Sequence, residues 1–419
     1  MRGVPVFLLL LAPALAGEDD EAVPVGDAIT LELCDQVRDA LVPRIEEQLR
    51  LRFHRTVPMR VQPLALWRNR ARGLVVASVA PYGSAFYDSS TDTVTIVPWV
   101  IGGDPNGPRV ERKTRAAWRA DLEPVAADVL TRALLHRNLP FDARRWHATL
   151  ETDLAPDEAE RCAADFLVTE GVVRYLVHRT CPGAAAPREE RADPAALLRA
   201  YRPGGKEPYR IKLIVDGGRD GLDLAHRLAL GSGMRGLRGV LYRPPPLALL
   251  VRPELLASVD FDEPPDPHSI FAFLAPDAKV KVHLAMDPLR ADFFGSSNER
   301  REGCLVGYAA AAGSSRYAFW VSDPDDPGTW REEQAAALRG GAVEREVDMP
   351  GGATVKVRIL SIPLEGAAVV RGDAGGLVVL AREATPAANL EQRVVTALRA
   401  LWLKKPKPAL YAEALAEIE

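Results

Sequence analysis

The sequence lacks several features that mark common functional classes. It has four cysteines and no Cys-x-x-Cys pair, so neither a zinc knuckle nor a thioredoxin-like redox site is indicated. No Gly-x-Ser-x-Gly elbow is present, which leaves an α/β-hydrolase without support. A net charge of −4 gives no footprint for nucleic acid. These absences leave a globular chain with 47% hydrophobic residues, long enough to bury a substantial core.

The N-terminus has the three parts of a secretory signal. Arg2 supplies a positive charge, residues 4–15 are almost wholly apolar, and Ala14-Leu15-Ala16 is a small-x-small cleavage site. The apolar run is shorter than the roughly 20 residues that cross a bilayer. We therefore expect a removable signal peptide over residues 1–16, an acidic mature N-terminus over residues 17–26, and a secreted or periplasmic protein without a membrane anchor.

Hydrophobic periodicity predicts an α+β fold, with a helical centre, a small β element before it and a β-containing region after it. Pro43 is expected to kink or split the first helix. We predict one unit over residues 27–270, and a C-terminal α/β region over residues 271–419 that is either separate or part of the same domain. The predicted helices are 27–53, 115–138, 156–179, 194–201, 220–230, 235–242 and 387–403, and the predicted strands are 74–79, two within 85–97, 210–215, 354–359 and 377–380.

The histidines exclude a complete zinc-peptidase motif. In His-Glu-x-x-His, two imidazoles one helical turn apart bind the metal, and the glutamate activates the attacking water. The chain has seven histidines, and no two of them are four residues apart.

The order of segments nevertheless resembles that of secreted bacterial metallopeptidase-like proteins of the gluzincin type. In that family a strand-turn-strand element precedes the metal-binding helix, and a helix with Glu-Gly supplies the third ligand. The resemblance spans roughly residues 35–340 and implies a zincin-like helical centre. The matching segments are Ala85-Phe86-Tyr87-Asp88 with the strand 93–97, the helix segment 129–136, Phe141-Asp142, the segment 166–171 ending in Glu170-Gly171, Tyr242-Arg243-Pro244-Pro245 and Arg252-Pro253-Glu254.

Carried over residue by residue, the resemblance implies a degenerate site. His136 takes the place of the second histidine and Glu170 that of the third ligand, but Arg132 stands where the first histidine would be and Ala133 where the catalytic glutamate would be. Arg252 replaces a downstream histidine. The motif thus becomes Arg132-Ala133-Leu134-Leu135-His136, which lacks a base for the water and one metal ligand. The resemblance implies a protein without catalytic residues and without bound zinc.

Arg132 suggests a specific replacement for the metal. Arg132 and His136 are four residues apart and share one helix face, so the guanidinium is expected to point towards Glu170 and to pair with it bidentately. Without the resemblance, His136 would be read as a histidine near a helix end, and Glu170 as a surface carboxylate beside a packing glycine.

These observations favour an exported binding or scaffolding protein, whose former substrate cleft takes a peptide or protein partner and not nucleic acid. One alternative is an active zinc-dependent hydrolase with a rearranged ligand set, which uses His136, Glu170 and a histidine from elsewhere, such as His178 or His226. Another is a purely structural periplasmic protein. The sequence does not define the oligomeric state.

Two other patterns receive ordinary structural interpretations. The segment 231–236 fits Gly-x-Gly-x-x-Gly, but a predicted helix precedes it, so we expect a helix–helix turn and not a dinucleotide site. Cys162 and Cys181 lie near opposite ends of one predicted helix, about 28 Å apart, which disfavours a disulfide between them.

Overall fold

The structure, a computed structural model, describes part of the chain. The described residues are 21–62, 84–88, 91–101, 111–139, 156–181, 183–184, 186–187, 193–201, 209–284, 304–324, 341–364, 366–384, 389–405, 407 and 409–418. They form an α+β fold, as the periodicity predicted. The predicted strand 74–79 and the Phe141-Asp142 segment lie outside the described residues.

The helices are concentrated in the first two thirds of the chain. Their bounds are Val25–Ala28 (α1), Leu31–Leu49 (α2), Pro98–Ile101 (α3), Arg115–Asn138 (α4), Pro156–Thr180 (α5), Pro194–Tyr201 (α6), Tyr209–Tyr242 (α7), Leu247–Leu250 (α8), Pro267–Leu274 (α9), Leu390–Trp402 (α10) and Ala412–Ala416 (α11). A 3₁₀ turn covers Leu255–Ser258. Within this group α2, α4, α5 and α7 pack together and form the helical centre.

The strands form three sheets. Their bounds are Val23–Pro24 (β1), Met59–Val61 (β2), Ala85–Asp88 (β3), Thr93–Ile96 (β4), Arg112–Lys113 (β5), Lys281–Leu284 (β6), Cys304–Ala312 (β7), Ser315–Ser322 (β8), Val343–Asp348 (β9), Thr354–Leu364 (β10), Ala367–Ala374 (β11) and Leu377–Glu383 (β12). The C-terminal sheet has the order β6-β7-β8-β12-β11-β10-β9, and all its neighbours are antiparallel. A three-stranded sheet has the order β2-β4-β3, and β1 pairs with β5.

Helix α4 begins and ends where the sequence predicted. The side chain of Thr114 caps its N-terminus by accepting a hydrogen bond of 3.2 Å from the Ala117 N–H. At the other end His136 and Arg137 lie in the last turn, where positive charge suits the helix dipole. The face towards the core is apolar, with Leu130, Ala133 and their neighbours fully buried.

One prediction is narrowed and another is wrong. Of the kink and the split expected at Pro43, the split does not occur, since α2 continues through this exposed residue. The predicted strand 210–215 is the first part of α7. A short segment with four apolar residues among six fits a helix as well as a strand, and the helical context decides between them.

The glycine-rich segment has the predicted role. Gly233 interrupts the helical backbone of α7 with φ 62° and ψ −161°, so the chain turns between two helical stretches. A positive φ of this kind favours glycine, which has no Cβ to clash. The segment is therefore a helix–helix turn.

One continuous hydrophobic core includes residues from both of the predicted regions, among them Leu130 and Leu167 of the helical centre, and Phe271, Phe319 and Leu398 beyond residue 270. Helix α10 packs across β11 and β12 and contacts α9. The Tyr308 hydroxyl on β7 also donates a hydrogen bond of 3.1 Å to the carbonyl of Asn138 at the end of α4. The C-terminal sheet is thus packed directly onto the helical centre.

Cys34 and Cys181 are free, buried thiols. Burial raises the pKa of Cys34 to about 12 and that of Cys181 to about 11, so both are protonated at neutral pH. Among the described residues, no helix has both the length and the hydrophobicity needed to cross a bilayer.

Candidate functional site

Arg132 and Glu170, which the sequence analysis expected to pair, are in direct contact between α4 and α5. The Nη1 atom of Arg132 lies 2.6 Å from Oε1 of Glu170. On its other side, Arg132 donates from Nε to Oδ1 of Asp128 at 2.7 Å and from Nη2 to Oδ2 at 3.4 Å. The guanidinium is therefore shared between a carboxylate one turn back on its own helix and a carboxylate on the neighbouring helix.

This cluster is largely removed from water. The side chain of Glu170 is 2% exposed and that of Arg132 is 11% exposed. Burial by itself would lower the pKa of Arg132, but the charges of Asp128 and Glu170, with their hydrogen bonds, raise it above its ordinary value. The Arg132 guanidinium and the Glu170 carboxylate therefore form a buried, charge-assisted pair.

A second guanidinium faces the same carboxylate. Arg174 lies one turn along α5 from Glu170, with its Nε 3.9 Å from Oε2. The Arg174 side chain lies against Gly218 of α7, where a Cβ would be only 2.5 Å from the guanidinium. The buried charges thus alternate in sign along the cluster, which offsets part of the cost of burying them.

Close packing of α5 and α7 fixes the position of Glu170. A Cβ on Gly171 would lie 2.1 Å from the carbonyl oxygen of Gly221, and a Cβ on Gly221 would lie 2.5 Å from the carbonyl oxygen of Leu167. Only glycine allows the two backbones to approach this closely. The glycine after Glu170 therefore has a packing role, and that packing holds the carboxylate towards α4.

His136 lies one turn beyond Arg132 and contacts the strand-turn-strand element. It is 5% exposed, and its Nδ1 lies 3.3 Å from the hydroxyl oxygen of Tyr87 on β3. The Tyr87 hydroxyl donates its only proton to Oδ1 of Asp92 at 2.8 Å. Because that proton is used, the His136 contact requires a proton on Nδ1, and the neutral imidazole then has its lone pair on Nε2.

Asp92 is the anchor of this second network. Arg137 donates from Nε to Oδ1 at 2.9 Å and from Nη2 to Oδ2 at 2.7 Å, and Nη2 of Arg55 lies 2.5 Å from Oδ2. Burial alone would raise the pKa of Asp92, but the hydrogen bonds and charge of Arg137, with the hydrogen bond from Tyr87, lower it. Burial and the neighbouring Asp92 raise the pKa of Tyr87. Tyr87 therefore stays protonated and Asp92 stays ionised at neutral pH.

Sequence reasoning missed Asp128, Arg174 and Asp92. Asp128 and Arg174 could have been found, because each lies four residues from a candidate on the same helix, the spacing at which opposite charges pair. Asp92 has φ 53° in the turn between β3 and β4. Nothing in its local pattern points to Arg137, which reaches it only through the tertiary fold.

The side chains that are present do not fit a bound zinc ion. Arg132 places a positive charge against the oxygen of Glu170 that would ligate the metal, and Ala133, which is fully buried, carries no carboxylate to serve as a base. Arg252, aligned with a downstream histidine of the family, follows α8 and is half-buried.

The alternative ligands are not assembled around Glu170 either. His178 lies two turns further along α5, about 12 Å away along the axis, and the ring of His226 lies 6.0 Å from that of Tyr175. Across the part of the chain that the structure describes, no three His, Cys, Asp or Glu side chains are grouped as metal ligands.

Comparison with known proteins adds no relative. No family model, no curated protein and no solved structure matches this chain. The interpretation of the site rests on its own geometry and on the order of the segments around it.

Proposed function

We propose that this protein is an exported, non-catalytic relative of zinc metallopeptidases in which an internal guanidinium replaces the metal ion, and that it acts by binding a peptide or protein partner. The observation that carries the proposal is the position of Arg132, held between Asp128 and Glu170 at 2.7 Å and 2.6 Å.

A catalytic zinc site needs three protein ligands, an open coordination position and a base for the water. Glu170 is buried and already neutralised, while Ala133 offers no base. His136 supports a metal-binding ancestry, because a metal-bound histidine commonly donates its second ring N–H to a neighbouring group. Its Nδ1–H bond to Tyr87 leaves Nε2 in the state that would bind a metal.

The edge of the three-stranded sheet supports a peptide partner. β3 pairs with β4 on one side only, among the described residues. The Val97 N–H donates to the Ser84 carbonyl at 2.7 Å, so this pair is hydrogen-bonded. By the antiparallel alternation, the backbone groups of Ala85 and Tyr87 point away from β4. Ala85 is 2% exposed, whereas Tyr87 is only partly buried, so the outward backbone groups of Tyr87 are the ones offered to an extended peptide that adds a strand to the sheet.

Metal content and peptide hydrolysis test the loss of catalysis. The native protein, purified without a metal-binding tag, should contain no stoichiometric zinc and should hydrolyse an unstructured protein substrate no faster with added zinc than with a chelator. About one zinc ion per chain, with hydrolysis that a chelator abolishes, would contradict the proposal and favour the active hydrolase.

Selection from a displayed library of random peptides tests the binding role. We expect enriched peptides with extended, alternating sequences, whose binding is lost in Tyr87→Pro because proline removes an outward N–H. Tyr87→Ala is the matched control, because it removes the same side chain and keeps the backbone N–H, and it should bind the enriched peptides. Failure to enrich any peptide would favour the purely structural alternative.

Removal of the signal peptide is tested by the intact mass of the exported protein. The proposal predicts a mature chain that begins after Ala16. A retained segment 1–16 in the exported form would contradict it.

A further inference from the structure

Two histidines from distant parts of the chain are stacked beside a small cavity. The rings of His54 and His268 have centroids 3.5 Å apart and an interplanar angle of 26°. His54 follows α2, and His268 lies in the first turn of α9. The adjacent cavity has a volume of about 100 Å³, and its lining consists of Phe53, His54, Arg55, Arg137, His268 and Val280.

The polar side chains of the lining are all cationic or able to become so. Arg55 and Arg137 carry positive charge, the two histidines can each gain a proton, and no carboxylate belongs to the described lining. The nearby carboxylates pair with other groups. Asp92 holds the two arginines, and Asp266 caps α9 by accepting hydrogen bonds from the His268 N–H and the Ser269 hydroxyl.

Several donors in this cavity have no acceptor among the described residues. Arg137 is fully engaged with Asp92 and with the carbonyls of Phe53 and Arg55. Arg55 is different, because its side chain is 37% exposed and only Nη2 contacts Asp92. The ring nitrogens of His54 and His268 make no hydrogen bond to any described residue.

We propose that this cavity binds a small tetrahedral oxyanion of the phosphate class, held by Arg55 and by the ring N–H groups of His54 and His268. Charge-assisted hydrogen bonds from a guanidinium and two imidazoles match an oxyanion with several acceptor oxygens. A metal ion fits less well, because the positive charges of Arg55 and Arg137 would repel it. This inference does not depend on the loss of catalysis.

Binding should strengthen as the solution becomes more acidic. Burial lowers the pKa of His54, and burial together with His54 lowers the pKa of His268 to about 4. The charged groups that face His54 are Asp266, Glu46, Arg137 and Arg52, and those that face His268 are Asp266, Arg137 and Arg55. A bound anion favours the protonated imidazoles, so it should raise both pKa values, and protonation should in turn tighten binding.

Sulfate is a suitable probe because its charge is constant over the range in which histidines titrate, whereas a phosphate monoester loses its second proton at about pH 6. We expect sulfate to bind at least ~3-fold more tightly to the full-length protein at about pH 5.5 than at about pH 7.5. In NMR titrations of the histidine ring protons, sulfate should raise the pKa of His54 and the pKa of His268.

Variants separate the contribution of Arg55 to sulfate binding from that of the two histidines. Arg55→Gln should weaken sulfate binding at both pH values, and the pair His54→Gln/His268→Gln should abolish the pH dependence. Arg60→Gln, an exposed arginine on β2 outside the cavity, should bind as the native protein does. Circular dichroism checks that each variant is folded.

The inference is overturned if Arg55→Gln and Arg60→Gln bind sulfate equally, or if sulfate leaves both histidine pKa values unchanged. Comparison of phosphate with phenyl phosphate then identifies the source of the anion. If phenyl phosphate binds as tightly as phosphate, the site accepts a phosphate monoester on a larger molecule. If phenyl phosphate does not bind, the site takes the free ion.

Discussion

A single arginine lies at the centre of the site. Two carboxylates buried between helices repel each other and need a positive charge nearby, which either a metal ion or a guanidinium can supply. Arg132 supplies it from within the chain, and it contacts both Asp128 and Glu170. The site therefore needs no bound ion to place a positive charge beside Glu170 in the interior.

Replacement of this arginine should be costly, and the cost should depend on Glu170. Arg132→Met removes the closest positive charge from the buried Glu170 carboxylate and leaves only Arg174, 3.9 Å away, so we expect it to lower the free energy of unfolding by up to about 3–5 kcal/mol. The double variant Arg132→Met/Glu170→Gln should recover a substantial part of that loss, because it removes the uncompensated charge. Urea denaturation measures the free energy of unfolding of the single and the double variant.

Arg119→Met is the matched control for this comparison. Arg119 is on the same helix and pairs with Glu123 four residues away, but its side chain is 43% exposed. Its replacement should change stability by less than about 1 kcal/mol. Equal losses for Arg119→Met and Arg132→Met would contradict a special role for the buried pair.

The sequence could predict the Arg132–Glu170 contact but not its full setting. Helical spacing placed Arg132 on the face of His136, and the resemblance placed Glu170 opposite. The sharing of the guanidinium with Asp128 and the network of Asp92 with Arg137 emerged only from the structure. Pairing across distant segments depends on how helices and turns pack, which local patterns do not encode.

At the level of elements, the sequence predicted α4, α5 and α6 almost to the residue. α4 has a clear N-terminal signal in the Thr114 cap, and the bounds of all three helices agree closely with the prediction. The start of α7 was mistaken for a strand because its short apolar run is compatible with both structures. The helices on either side of it decide the conformation, and that is tertiary information.

The close contact between α5 and α7 determines whether a methyl group added at Gly171 stabilises or destabilises the protein. Gly171→Ala should destabilise the protein by about 1–3 kcal/mol, because its Cβ would lie 2.1 Å from the Gly221 carbonyl oxygen and would force the helices apart. In an open helix position the same substitution stabilises by up to about 1 kcal/mol. Thermal unfolding distinguishes the two, and a stabilised variant would show that α5 and α7 are not packed this closely.

Across the whole molecule, the C-terminal sheet and the helical centre share one hydrophobic core. Polar contacts also join the two regions. Arg243, at the end of α7, donates to Asp323 at 2.9 Å, and the Tyr411 hydroxyl donates to the Arg243 carbonyl at 2.5 Å. The predicted boundary between residues 270 and 271 therefore lies within a continuously packed structure.

This packing predicts a single cooperative unfolding transition. Far-ultraviolet circular dichroism, which follows mainly the helices, and the fluorescence of Trp320 on β8 in a variant whose other tryptophans are replaced by phenylalanine should give the same urea midpoint. Two well-separated midpoints would show that residues 271–419 form an independent domain.

The central claim is that Arg132 occupies the position of a metal ion, and the zinc content of Arg132→His tests it most directly. This substitution places imidazoles at positions 132 and 136, one turn apart, opposite Glu170. The account predicts that the folded variant binds about one zinc ion per chain, that Glu170→Gln in the same background abolishes binding, and that neither the native protein nor Arg119→His binds zinc. A folded Arg132→His variant without zinc, or stoichiometric zinc in the native protein, would contradict it.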